Sequence, residues 1–198
     1  MSFCYTEADR RRVRDYGVVS PIEVVPNGAD TERVTPESPT SELIKHDGLV
    51  AIFVGRLVDG KRPQDAITAV RRAQREQPDL KLYLCGAGPL REELEDQAGE
   101  ETEFLGHVPS DEMPAIYRSA DVMVVPGRAE GVPRTVLEAI TARVYSVTTA
   151  LPPYEKIVKE GYGTTVPVEN PMEMGRQIAA FLDLSGGIEL GAGGSEYS

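Results

Sequence analysis

The sequence has few cysteines and histidines and lacks a long apolar run, and each shortage excludes a class of protein. Its 198 residues include two cysteines, Cys4 and Cys85, and two histidines that do not cluster with them, which excludes a disulfide framework and a Cys/His zinc site. No apolar stretch approaches the roughly 20 residues of a membrane-spanning helix, and the N-terminus lacks the basic and apolar regions of a signal peptide. We therefore expect a cytoplasmic protein with unpaired thiols, no membrane span and no metal site.

Positive charge is also scarce. The chain has 21 Lys and Arg residues against 32 Asp and Glu residues, a formal net charge of −11. This balance argues against a protein whose main task is to bind the phosphate backbone of nucleic acid, although it permits a small local anion pocket. An acidic, arginine-rich composition suits a high-salt cytoplasm, and a GC-rich genome would give similar arginine use.

From about residue 49, short apolar runs alternate with amphipathic helical stretches, which predicts βαβ units. The predicted strands are 49–54, 80–85, 102–105, 121–125, 144–149 and, more weakly, 163–166. The predicted helices are 63–77, 89–97, 111–118 behind a Ser110 cap, 134–142, 154–159 and 172–182. Nearly continuous apolarity is typical of parallel strands covered on both faces. With right-handed crossovers, these units predict an α/β fold, a doubly wound parallel sheet of Rossmann type.

The chain is predicted to have three parts. Residues 1–48 contain a charged helix from Thr6 to about Tyr16, a strand at 22–25 and a Pro/Ser/Thr-rich connection. Residues 49–183 form the Rossmann-like domain, whose linkers are too short for a second domain. Residues 184–198 are Gly-rich and poor in apolar side chains, so we expect a disordered tail.

Ligands of an open α/β sheet bind outside the carboxyl ends of the strands, so the loops after the predicted strands are the candidate site. The first such loop carries Arg56 and Lys61 in front of a helix. Two cations and a helix N-terminus can hold a diphosphate without a metal. The alternative is that Arg56 pairs with a carboxylate and Lys61 is a solvated residue at the helix start.

Three further loops give weaker signals. Gly86 and Gly88 allow close backbone approach by a ligand, although glycine is common at a strand-to-helix turn. The main chain at His107 and Val108 can meet the edge of a flat base, and His107 is either a general base or a polar surface residue. Gly28 lies in an Asn-Gly turn, which such a pair forms readily without any ligand.

The loop before the helix predicted at residue 134 gives the strongest signal. Glu130 lies in this loop and Glu138 in the helix, with seven residues between them. Carboxylates suit the recognition of vicinal hydroxyls, because each oxygen can accept a hydrogen bond from a sugar or ribose. The alternative is a pair of solvated glutamates.

Taken in order, these motifs resemble the C-terminal, donor-binding domain of the GT-B glycosyltransferases known as group 1, or family four, retaining transferases. The matching segments are 25–30 (VPNGAD), 54–57 (VGRL) with Lys61, 86–89 (GAGP), 104–108 (FLGHV), 117–121 (YRSAD) leading to 124–126 (VVP), and 130–133 (EGVP) with 137–139 (LEA). They cover roughly residues 5 to 182. The resemblance therefore implies the C-terminal half of a GT-B fold.

The resemblance also implies a role for each loop in binding a nucleotide-sugar donor. Arg56 and Lys61 would hold the diphosphate, Glu138 the ribose hydroxyls, Glu130 the donor sugar, and Val108 the base through its main chain. The implied catalytic residues are Arg56, Lys61 and Glu130. The full implied donor-binding set is Gly28, Gly55, Arg56, Lys61, Gly86, Gly88, His107, Val108, Glu130, Gly131, Val132, Pro133 and Glu138.

The implied reaction is transfer of a hexose from a UDP-, GDP- or ADP-hexose to an acceptor hydroxyl, with retention at the anomeric carbon. The acceptor would be a glycan, a lipid or a small molecule. The leaving phosphate would accept the proton of the acceptor, so neither a protein nucleophile nor a cofactor is expected. Arg56 and Lys61 would neutralise the charge that grows on the departing diphosphate.

The sequence departs from the family pattern at four positions. Arg143 stands where a glycine usually ends the helix after Glu138, and Ser146 stands where proline is usual, which together predict a changed helix exit. Gly127 replaces the usual serine after Pro126, and Arg62 replaces a glycine after Lys61.

A full GT-B enzyme also has an N-terminal acceptor domain of similar size. We therefore expect that the chain is a fragment of a longer enzyme, that a separate polypeptide supplies the missing half, or that it is a remnant that binds donor without transferring it. Two alternatives remain: a non-catalytic nucleotide-sugar-binding module, and a GT-B sugar-nucleotide epimerase. The epimerase would need acid/base groups in the cleft beyond His107 and Glu130.

Overall fold

In the computed structural model, residues 2–4, 7–24, 33–128 and 134–186 are described. The strands are β1 (Ser2–Cys4), β2 (Ile22–Val24), β3 (Val50–Val54), β4 (Lys81–Cys85), β5 (Thr102–Gly106), β6 (Val122–Val125), β7 (Tyr145–Thr149) and β8 (Gly163–Val166). The α-helices are α1 (Glu7–Asp15), α2 (Pro63–Ala73), α3 (Arg91–Gln97), α4 (Met113–Arg118), α5 (Arg134–Thr141), α6 (Pro152–Ile157) and α7 (Pro171–Gly186). A short 3₁₀ helix spans Asp59–Lys61, and a π-helical turn spans Val158–Tyr162.

Six parallel strands form the main sheet in the order β5-β4-β3-β6-β7-β8. The first strand of this sheet, β3, therefore lies between the second and the fourth. This order is that of a doubly wound Rossmann-type sheet, and its direction reverses between β3 and β6. The predicted α/β fold is confirmed, because the apolar runs from residue 49 onward form these strands.

The strands are apolar on both faces because helices cover both. One face packs against α2 and α7, with Ala66, Val70 and Ile178 fully or almost fully buried. The other face packs against α4 and α5, through residues such as Tyr117 and Val136. Helix α2 begins with Pro63, whose fixed φ suits the first helical position.

A separate two-stranded sheet lies at the start of the chain. Strands β1 and β2 pair in parallel, with Ser2 opposite Ile22, and α1 connects them. The helix and the second strand follow the prediction, but β1 was not predicted. Three residues, Ser2 to Cys4, are too few to show the alternation that identifies a strand.

Several local predictions differ from the structure. The Ser110 cap is wrong, because α4 starts at Met113 behind Glu112 and no side chain caps it. Helix α7 continues to Gly186, three residues beyond the predicted end of the domain at residue 183, while residues 187–198 lie outside the described part. The division into 1–48, 49–183 and 184–198 otherwise stays a prediction.

The exit of α5 keeps the geometry that a glycine would give. Arg143 has a φ of 63°, its N–H donates to the Ile140 carbonyl at 2.9 Å, and the Val144 N–H donates to the Ala139 carbonyl at 2.9 Å. These two bonds are those of a Schellman motif, with Arg143 in the position that glycine favours. The predicted change of helix exit is therefore wrong, since the arginine adopts the left-handed conformation instead.

Candidate functional site

The loops after β3 and β6 meet at the point where the strand order reverses. The Arg128 N–H, after β6, donates to the Gly60 carbonyl, after β3, at 3.1 Å. The Thr149 hydroxyl at the end of β7 donates to the Gly127 carbonyl at 2.7 Å. The carboxyl edge of the sheet therefore brings together three of its loops, at the place where doubly wound sheets bind ligands.

The loop after β3 presents an arginine to solvent. The Arg56 side chain is exposed, and within the described residues it forms neither a hydrogen bond nor an ion pair. The suggested pairing of Arg56 with a carboxylate is therefore not found there. Lys61 is half-buried at the end of the 3₁₀ turn, directly before the left-handed residue Arg62.

Gly86 and Gly88 hold the loop after β4 against the loop after β3. A Cβ atom on Gly86 would overlap the Gly55 carbonyl oxygen and lie 2.8 Å from its carbon, and one on Gly88 would lie 2.7 Å from the Leu57 carbonyl carbon. The Leu57 N–H also donates to the Ala87 carbonyl at 3.0 Å. The close approach expected at these glycines is thus made by the chain itself, and a contact with a ligand stays a prediction.

Five charged side chains connect the loops at this edge. Arg62 contacts Asp65 through two hydrogen bonds of 2.6 and 3.0 Å and Glu169 through one of 3.2 Å. Arg128 reaches Glu169 at 3.4 Å and also pairs with Asp59. The hydrogen bond with Asp65 raises the pKa of Arg62. The network fixes the residue after Lys61. Sequence patterns do not predict it, because its bonded pairs are up to 107 residues apart.

Glu138 is buried, with 6% of its surface exposed, so the alternative of a solvated glutamate is wrong for this residue. The Tyr117 hydroxyl on α4 donates to its Oε2 at 2.9 Å, and the Arg134 Nε donates to its Oε1 at 3.0 Å. Burial raises the pKa of Tyr117, so the phenol stays protonated and donates at neutral pH. Tyr117 belongs to a matched motif, but the spacing gave no reason to connect it with Glu138.

Two predicted residues lie after the edge strand β5. Val108 is buried in the cluster that contains Tyr117 and Val136, whereas His107 is exposed. Within the described part of the chain, no side chain forms a hydrogen bond or ion pair with His107 that would orient it as a general base. The structure therefore places Val108 in the same cluster as Tyr117, the partner of Glu138, and leaves the His107 side chain exposed.

Gly28, Glu130 and residues 131–133, which belong to the predicted donor-binding set, lie outside the described residues.

Cys85, the last residue of β4, is a free buried thiol, and burial raises its pKa to about 12. Among the described residues no three His, Cys, Asp or Glu side chains group as metal ligands, and no helix is long and apolar enough to span a membrane.

The sequence model of the family described as "Glycosyl transferases group 1" matches residues 34–190. The chain belongs to this family. The match confirms the resemblance drawn from the motifs.

Two curated relatives illustrate how much of an enzyme the chain covers. It is 30% identical over 126 residues to a GDP-mannose-dependent alpha-(1-6)-phosphatidylinositol monomannoside mannosyltransferase of Mycolicibacterium smegmatis, a match covering 59% of the chain and 33% of the relative. It is 33% identical over 137 residues to a glycogen synthase of Mycobacterium tuberculosis, covering 64% of the chain and 31% of the relative. The chain thus spans about a third of these proteins.

Solved structures of group 1 and related glycosyltransferases share the fold. The C-terminal domain of a group 1 glycosyl transferase (LpcC) from Francisella tularensis matches 82% of the chain and 89% of its own length, with a TM-score of 0.66 at 24% identity. The pneumococcal O-GlcNAc transferase GtfA, solved with UDP and GlcNAc, matches 92% of the chain and 38% of its own length, with a TM-score of 0.76 at 17% identity. The fold is thus the C-terminal half of a GT-B glycosyltransferase.

Proposed function

We propose that the chain is the donor-binding domain of a glycosyltransferase and binds a nucleotide-diphosphate hexose. The observation that carries this proposal is Arg56, an exposed cation with no acidic partner among the described residues, in a chain of net charge −11. It lies in the loop where the strand order of a group 1 glycosyltransferase domain reverses. An unpaired arginine in such a loop suits a diphosphate.

In this proposal each part of the donor has its own contact. Arg56 and Lys61 bind the diphosphate, the buried carboxylate of Glu138 accepts the ribose hydroxyls, and the Val108 main chain meets the base. Glu130, with the backbone of 131–133, binds the sugar. Glu138 supports this division because protein donors hold both of its oxygens, and each oxygen keeps a further acceptor position.

The proposed reaction transfers the hexose to an acceptor hydroxyl with retention. The bond from the anomeric carbon to the diphosphate oxygen breaks, the acceptor oxygen bonds to that carbon on the same face, and the leaving phosphate takes the acceptor proton. Arg56 and Lys61 stabilise the negative charge that develops on the diphosphate, so they act more strongly in the transition state than in the ground state. The proposal therefore requires neither a protein nucleophile nor a metal cofactor.

The donor and acceptor classes are also proposals. One relative is named as GDP-mannose-dependent and one structural neighbour was solved with UDP, and a UDP-, GDP- or ADP-hexose fits the same contacts. Because the chain spans about a third of its relatives, we propose that an N-terminal acceptor domain, on a longer or a separate polypeptide, provides the acceptor site. The acceptor would be a glycan, a lipid or a small molecule.

Calorimetric titration of the purified chain with UDP, GDP and ADP, and then with their hexose conjugates, tests the proposal. One nucleotide is expected to bind, and its sugar conjugate more tightly. Arg56→Ala should weaken binding of that nucleotide by about 1 to 3 kcal/mol, the scale of a hydrogen bond to a charged group. Arg75→Ala is the matched control, since Arg75 is also exposed and lies beyond the end of α2.

The titrations test the proposed function and the role of Arg56 separately. If the chain binds none of the three nucleotides, the proposed function fails. If it binds one but Arg56→Ala and Arg75→Ala both leave the affinity unchanged, the role of Arg56 fails.

A further inference from the structure

We propose that Tyr117 is a positioning residue of the donor site, which orients the Glu138 carboxylate so that it discriminates ribose from deoxyribose. This inference rests on the proposed function. It extends that function to a residue on another helix that would touch no part of the donor.

The hydrogen bond joins two helices inside the domain. Tyr117 lies on α4 and is fully buried, and its hydroxyl is 2.9 Å from Oε2 of Glu138 on α5. The other oxygen, Oε1, accepts from Arg134 at 3.0 Å. One donor on each oxygen defines both the position of the carboxylate and the plane in which it lies.

This arrangement matters because of how a carboxylate recognises a diol. Each carboxylate oxygen offers about two acceptor positions, so one protein donor on each leaves one position free for a ligand. Two ribose hydroxyls can occupy these positions only if the carboxylate plane faces them. Without the phenol, Oε2 has lost a buried donor and the carboxylate can rotate toward other partners.

Tyr117 also connects the two proposed nucleoside contacts. It packs in one buried cluster with Val108, whose main chain is proposed to meet the base, and with Val136 and Ala139 on the helix that carries Glu138. The side chain that holds the ribose contact therefore belongs to the same packed cluster as the base contact. A residue that only filled the core would affect all ligands of the domain equally.

The test uses Tyr117→Phe, which removes one oxygen atom and keeps the ring. Dissociation constants are measured for GDP and UDP and for their 2′-deoxy and 3′-deoxy counterparts. We expect the wild type to prefer the ribonucleotide, and Tyr117→Phe to bind the ribonucleotide about tenfold more weakly, the scale of one hydrogen bond to a charged group. The affinity for the deoxynucleotides should change less than about twofold, because they do not make the full contact with Glu138.

Tyr145→Phe is the matched control. Tyr145 lies on β7 and stacks on Phe181 of α7, with ring centroids 3.9 Å apart, on the other face of the sheet. Removal of the Tyr145 hydroxyl should leave the preference for ribonucleotides unchanged.

A double-mutant cycle keeps the inference testable if Tyr117→Phe alone does not fold. The variant Tyr117→Phe with Glu138→Gln buries no unpaired carboxylate, so it avoids that penalty. If Tyr117 acts through Glu138, the double variant should have the same ratio of ribonucleotide to deoxynucleotide affinity as Glu138→Gln alone. A further loss of this ratio in the double variant would overturn the inference.

The remaining outcomes distinguish failure of the proposed function from failure of this inference. A wild type that binds no nucleotide overturns the proposed function and this inference together. A wild type that binds without any preference for ribose overturns the role of Glu138 and with it that of Tyr117. A preference that persists in Tyr117→Phe, or an equal loss for ribo- and deoxynucleotides, overturns this inference alone.

Discussion

Three residues other than glycine have positive φ angles in the described part of the chain: Arg62 at 51°, Arg143 at 63° and Glu169 at 59°. This conformation costs an ordinary residue roughly 1 to 2 kcal/mol. Arg62 and Glu169 bond to each other at 3.2 Å, and Arg62 also holds Asp65, so their side chains offset part of the strain. Two of the departures from the family pattern, Arg62 and Arg143, thus keep the backbone that glycine would have.

At the residue scale, this geometry predicts the effect of restoring glycine at the end of α5. The free energy of unfolding should be about 1 kcal/mol higher for Arg143→Gly than for Arg143→Ala. Alanine is strained in the left-handed conformation, whereas glycine adopts it without strain. Both variants remove the arginine side chain and its contacts, so their difference isolates the backbone. Urea unfolding followed by circular dichroism measures it, and an alanine variant at least as stable as the glycine variant would contradict the prediction.

At the scale of the elements, the loops after β3 and β4 pack as one layer under the candidate site. The contact depends on glycines whose missing side chains leave room for the neighbouring backbone. Gly88 has no positive φ, and the restriction on it is the space occupied by Leu57. Gly60, in the 3₁₀ turn beside Lys61, has no atom within 4 Å of a Cβ position.

Alanine at these two positions should therefore have opposite consequences. Gly88→Ala should lower the free energy of unfolding by about 1 to 3 kcal/mol, the usual cost of inserting a methyl group into packed structure. Gly60→Ala should change it by less than about 0.5 kcal/mol. Thermal and urea unfolding of both variants provide the comparison, and a Gly88→Ala variant as stable as the wild type would show that the loops do not pack as described.

The observed strands and helices also show which features of the fold can be predicted from the sequence. The strands of the main sheet were predicted to within about a residue, because runs such as 49–54 and 122–125 are continuously apolar and end at Gly or Pro loops. Helix ends were predicted less well, since Ser110 was a plausible cap that the chain does not use. Capping depends on local backbone angles that composition does not determine.

The candidate site was likewise predicted only in part. Motif order predicted which loops carry Arg56 and Lys61 and which helix carries Glu138. It did not predict that Tyr117 and Arg134 hold Glu138, or that Arg128 joins Asp59 and Glu169. The contact of Arg134 with Glu138 is an i,i+4 pair within α5. The other contacts connect separate elements, so they exist only once the sheet has brought its carboxyl ends together.

At the scale of the whole molecule, the main electrostatic feature is the excess of negative charge. The chain has 32 acidic and 21 basic residues. Self-repulsion destabilises the folded state, whereas the ion pairs stabilise it. Several of the described pairs are exposed, such as Arg91 with Glu95, and pairs of this kind contribute only about 0 to 1 kcal/mol each. The more buried pair between Arg62 and Asp65 is screened less by salt.

Salt should therefore stabilise this domain. Raising KCl from about 0.05 M to about 1 M shortens the screening length from above 10 Å to about 3 Å, which weakens the long-range repulsion more than the short buried pair. We expect the melting temperature to rise across this range. The double substitution Asp96→Asn with Glu100→Gln removes two exposed acids that form no described ion pair, so it should raise the melting temperature at low salt and have little effect at high salt. A melting temperature that falls as KCl is added would instead mean that the ion pairs, and not the net charge, dominate the electrostatics of the fold.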